Sequence, residues 1–149
     1  MSCDDPPEIP HLELPFLKLV IDLLCQGKSV RFRAPGRSMF PTIREGDAIT
    51  VTPIAPDSVQ RGDIILYRVK CGVVAHRLIR IERNKEGSFR FLFRSDTWGT
   101  WDEPVLAEQI LGKVISAEGS GRRIRIYSVK MKIRLLTHLV ASRLKRWIH

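Results

Sequence analysis

A succession of short, alternating apolar segments runs from Ser29 to Tyr127, and it limits what this chain can fold into. In SVRFRA, Val30, Phe32 and Ala34 alternate with Arg31 and Arg33, the period of a strand with one face buried. DAITV, GDIILYRV, VVAHRLIRI, SFRFLFR, ILGKVISA and RRIRIY follow in order. Lys70-Cys71-Gly72 reads as a hairpin turn, and Asn84 to Gly87 as the turn before the phenylalanine-rich segment. Phe89, Phe91 and Phe93 share one face and are expected in the core. Strands at this spacing, with no helices between them, predict a mainly β domain, either a small β-barrel or a coiled sheet, rather than βαβ units. There is no internal repeat.

The flanks differ from this middle. Residues 1–28 are expected to form an irregular, Pro-rich arm followed by a short helix from Pro15 to Gln26, with Pro15 at its start and Gly27 at its stop. Residues 29–127 form the β domain. In residues 128–149 the period changes: Val129, Ile133, Leu136, Val140, Leu144 and Trp147 recur at helical spacing among Lys and Arg, predicting a basic amphipathic helix. The chain's net charge of +9 belongs to its end, because nine basic residues and no acidic one lie from Arg122 onward. The basic helix has three readings: packed by its apolar stripe, lying on an anionic membrane surface, or bound to nucleic acid or an acidic partner. A general nucleic-acid-binding role is not expected, since the rest of the chain is balanced in charge.

At 149 residues the chain is one domain's worth, and 44% hydrophobic with 28% charged residues is a globular composition. No apolar run is long enough to span a bilayer. The start MSCDDPPEIP lacks the basic and apolar parts of a secretory signal, so the expected compartment is the cytoplasm, with peripheral membrane contact through the basic helix. Cys3, Cys25 and Cys71 are expected as free thiols. With His11, His138 and His149 they show no metal spacing, and no cofactor is expected.

Candidate chemistry gathers in a few places. Gly36-Arg37-Ser38-Met39-Phe40-Pro41-Thr42 is a turn-rich segment presenting a hydroxyl. His76 lies in an apolar strand, beside Arg77. Asp96 follows in Arg94-Ser95-Asp96 and Asp102 in Trp101-Asp102-Glu103-Pro104. A hydroxyl, an imidazole and a carboxylate suit a Ser-His-Asp triad, which recurs in several chain orders because geometry defines it. Serine is a poor nucleophile until a neighbour takes its proton. Imidazole, with an ordinary pKa of about 6.5, is mostly neutral near pH 7 and ready to do so. Gly36 permits a sharp turn and a close approach to substrate backbone. Backbone N–H groups near Ser38 would then supply an oxyanion hole, a contribution of about 3–4 kcal/mol in known cases. Met39 is expected to pack beneath the nucleophile. Gly46-Asp47 and Gly62-Asp63 read as structural turns whose carboxylates bond nearby backbone.

In their order, GRSMFPTIREGDAITV, RGDIILYRVK, VVAHRLIRI, SDTWGTWDEPV and ILGKV resemble the conserved boxes of the type I signal peptidases, a fold shared with the repressor-type self-cleaving serine proteases. The resemblance spans Val30 to Val114. It implies a serine endopeptidase acting through an acyl-enzyme on a precursor, leader or signal-type peptide. Ser38 would be the nucleophile, and Gly36, Met39 and Pro41 would lie beside the substrate. The main bacterial branch and the repressor proteases use a Lys base. The endoplasmic-reticulum and archaeal-like branch uses a His, and this chain has His76 at that place. The resemblance favours Asp102 as the triad acid, with Asp96 as a supporting or alternative acid. The chain departs from the family in having Gly36 where many members have a Ser, Ser95-Asp96-Thr97 where Gly-Asp-Asn is usual, and no membrane-spanning helix. Two other roles share the fold: an inactive peptide-binding module and a self-cleaving regulator.

Overall fold

The structure, a computed structural model, describes residues 14–70 and 72–126. The predicted basic helix, the arm before Leu14, and Cys71 lie outside the described residues. Helix α1 runs Leu14–Cys25. It is followed by strands β1 (Val30–Arg33), β2 (Ala48–Pro53), β3 (Ile64–Val69), β4 (Gly72–Arg83), β5 (Phe89–Arg94), β6 (Val105–Leu106), β7 (Ile110–Gly119) and β8 (Arg122–Arg125). All pair antiparallel in one sheet of order β1-β2-β7-β3-β4-β5-β6, with β8 beside the far end of β7. The mainly β expectation holds, in the coiled-sheet form. The two-residue β6 had no signal in the sequence. Among the described residues no helix is long and apolar enough to cross a membrane.

The centre of the sheet is buried on both faces. Along β3, Ile64 and Leu66 face one core while Ile65 and Tyr67 face another. That explains the unbroken apolar run in its sequence, since a strand covered on both sides has no polar face to alternate with. The first core is closed by β1, β2, β7 and the Val20–Leu24 face of α1. The second is closed by β5, β6 and the turn at Ala107–Gln109, around Leu78, Phe91, Phe93 and Val105. Strand β4 serves both cores in turn. Gly72–Arg77 pairs with β3, and Arg77–Arg83 pairs with β5.

The phenylalanine stripe is only partly core. Phe91 and Phe93 are buried, but Phe89 is 53% exposed with the Arg83 guanidinium over its ring. The physical reason is that β6 pairs with β5 at Arg90 and Phe91 and stops short of Phe89. The two Gly-Asp turns take the expected form. The Asp47 carboxylate accepts from Arg44 N–H at 2.8 Å and that of Asp63 from Gln60 N–H at 2.9 Å. Gly46 and Gly62 sit at φ 85° and 83°, a region open to glycine at little cost.

Candidate active site

Ser38 lies in the loop between β1 and β2. The loop is closed at its base by Ala34 N–H to Asp47 O (2.8 Å) and Gly46 N–H to Ala34 O (2.8 Å). Met39 and Ile43 are buried in the first core and anchor it, so Met39 does pack inward beside Ser38. A cleft of about 130 Å³ opens here, with Gly36, Ser38, Met39, His76 and Trp98 among its lining residues. Pro41 is exposed and outside this lining. One wall is Phe32 near the end of β1 with Ala34 just beyond the strand, the other is Val73–His76 of β4. Both are strand edges with no strand neighbour on the cleft side among the described residues.

His76 sits on β4 opposite Ile65, with a side chain 12% exposed. Its Nδ1 is hydrogen-bonded to Asp102 Oδ2. An ionised carboxylate only accepts, so Nδ1 carries the proton and Nε2 of the neutral ring keeps its lone pair. Asp102 is held by its own N–H to Phe93 O at 3.0 Å and by a bridge between Arg94 and Trp101 just before it. A third group joins the pair. Tyr67 donates its hydroxyl to Asp102 Oδ2 at 2.5 Å, and its ring stands edge-on to His76 with centroids 6.4 Å apart. Burial first, then the bond to Asp102, pushes the Tyr67 hydroxyl far above its ordinary range, so it stays protonated. Sequence reasoning missed Tyr67, because a tyrosine inside an apolar strand carries no mark that separates it from core.

Asp96 goes elsewhere. Arg77 holds it with two N–H···O bonds, at 2.8 and 2.7 Å, and Thr42 donates to it at 3.0 Å. Arg77 also donates to Gly62 O at 2.8 Å. Both partners of this ion pair are more than four-fifths buried. The next residue, Thr97, grips the Ser38 loop. Its N–H donates to Ser38 O at 3.1 Å, and its hydroxyl donates to Arg37 O and to Phe40 O. The structure therefore brings Asp102 to His76 and ties Asp96 and Thr97 to the loop that carries Ser38. Thr42 and Thr97 were not singled out from the sequence. Their partners lie 54 and about 60 positions away, beyond any local pattern.

Residues 9–115 match the family model Peptidase S24-like. The chain belongs to that family. The match covers more than two thirds of the chain and includes Ser38, His76, Asp96 and Asp102. No curated protein matches the chain. As an S24-like peptidase it has the mainly antiparallel β architecture described above, and family membership marks it as serine-peptidase-like.

Proposed function

We propose that this S24-like chain is a serine endopeptidase with a histidine base, close in mechanism to the His branch of the signal peptidases. The observation that supports it most is the placement of His76. Its Nδ1 is bonded to Asp102 while the residue lines the same cleft as Ser38. In this mechanism Nε2 takes the Ser38 proton as Oγ attacks the scissile carbonyl, and the imidazolium formed is stabilised by Asp102. The same proton then goes to the leaving amine. Water, deprotonated by His76, hydrolyses the ester left on Ser38. Backbone N–H groups of the Ser38 turn receive the oxyanion, since Gly36 has no hydroxyl to offer.

The substrate is an extended peptide, a precursor, leader or signal-type segment with small side chains beside the cut. The two strand edges that flank the cleft, unpaired among the described residues, support this, because an extended chain laid between them adds main-chain hydrogen bonds to an existing sheet.

Mass spectrometry of a peptide library incubated with wild type and with Ser38→Ala tests the reading. Cuts made by wild type alone support it, and cuts common to both samples remove it. The S24-like match favours a second reading, a regulator that cleaves its own chain. A shorter band that appears in purified wild type and not in Ser38→Ala would select it.

A further inference from the structure

Two donors converge on one oxygen in this site. His76 Nδ1–H and the Tyr67 hydroxyl both reach Asp102 Oδ2. The Tyr67 oxygen stands 3.4 Å from Nδ1. Nδ1 already gives its proton to the carboxylate, so this is an approach between two donors sharing an acceptor. Tyr67 is also the most firmly fixed of the three. It is 1% exposed, lies in a strand paired on both edges, to Val74 and to Ile110, and stacks on Phe93 at 4.4 Å. Asp102, by contrast, comes from a loop and is a quarter exposed. A rigid donor facing a loop-borne carboxylate sets where that carboxylate rests. It also draws on the electron density available to the second donor.

We propose that Tyr67 is a positioning residue that fixes Asp102 against His76 and moderates the strength of the His76–Asp102 bond. The proposal rests on the histidine-base reading for its consequence in catalysis, but not for the bond competition itself. Tyr67 touches no reacting atom. Its hydroxyl keeps its proton throughout, and no proton moves along it. Two hydrogen bonds to one acceptor oxygen weaken each other, so removing the phenol strengthens donation by Nδ1–H, and a more acidic phenol weakens it.

The test uses the full chain in three forms: wild type, Tyr67→Phe, and a form carrying 3-fluorotyrosine in a Tyr127→Phe background. The chain has two tyrosines, so that background confines fluorine to position 67. The readout is the nitrogen-15 shift of His76 Nδ1 in the neutral ring, detected through its carbon-bound protons and assigned by its loss in His76→Gln. Tyr67→Phe is expected to move the signal downfield, toward stronger donation, and fluorination to move it upfield. The fluorinated form keeps the native shape, so it decides the matter if Tyr67→Phe fails to fold. Identical shifts in all forms, or displacement in one common direction, overturn the proposal. Where the peptide library identifies a substrate, Tyr67→Phe is expected to lower kcat roughly tenfold with KM unchanged, the scale of losing a hydrogen bond that orients a functional group. A wild-type kcat would overturn the positioning role. Opposite shifts in a protein that cleaves nothing would leave the bond competition standing and remove the peptidase reading, so the two fail separately.

Discussion

Asp96 and Asp102 lie on one loop, yet they do different work. Asp102 meets the imidazole, and Asp96 satisfies a guanidinium that ties three loops together. Their asparagine variants are predicted to separate cleanly. Asp102→Asn should lower kcat by about 10⁴-fold, the scale seen when a triad acid elsewhere is neutralised, with its urea midpoint nearly unchanged. Asp96→Asn should leave Arg77 without its full counter-charge and cost about 2–3 kcal/mol of stability in urea unfolding. From the residues alone either acid could have served His76, and only the family resemblance favoured Asp102. Spacing along a loop says nothing of direction, and it was Arg77, one residue beyond the histidine and pointing to the other face of β4, that divided them. Ser38, His76 and the acids were singled out because five segments in order resemble the boxes of one family, and the structure places Ser38 and His76 on one cleft and Asp102 on His76. Tyr67 and Thr97 were not, because each acts through long-range contacts made only after folding.

At the level of elements, the site depends on strands that cross between two cores. Gly112 of β7 shows how closely they approach. A Cβ there would meet Val51 Cγ1 at 2.7 Å, Thr52 O at 2.8 Å and Leu24 Cδ2 at 3.4 Å. Backbone oxygen cannot swing aside as a flexible side chain can, so Gly112→Ala should destabilise by about 2–3 kcal/mol, measured as a fall in the urea midpoint. Strands with one buried face, such as β1, were readable from alternation. The hairpin joining β3 to β4 was readable from its turn residues, and the observed register pairs Val69 with Gly72. The change of partner midway along β4 was not readable. A continuous apolar strand looks the same whether it has one neighbour or two in succession, and that change is what leaves the Gly72–His76 edge open at the cleft.

At the scale of the whole molecule, the buried tyrosine couples the site to global stability. Its folded hydroxyl is held protonated above the ordinary value of 10.0. The unfolded chain therefore loses that proton first as pH rises. Stability from this group is complete below about pH 10 and declines above it, by about 1.4 kcal/mol per pH unit. Between about pH 10 and 11, where the unfolded phenol is only partly ionised, urea unfolding should lose about 1 kcal/mol less in Tyr67→Phe than in wild type, and the difference approaches the full slope only above about pH 11. Fold class was legible at this scale because strand spacing and the absence of intervening helices leave few architectures open. The coiling of one sheet around two cores was not, because it depends on which strand buries which face. The central claim, that His76 activates Ser38, is tested most directly by acyl transfer. After wild type is mixed with a p-nitrophenyl peptide ester and quenched in acid, peptide mapping by mass spectrometry is predicted to find the acyl group on Ser38, with far less of it in His76→Ala. Acylation at another residue, or equal acylation of Ser38 without the imidazole, would contradict the account.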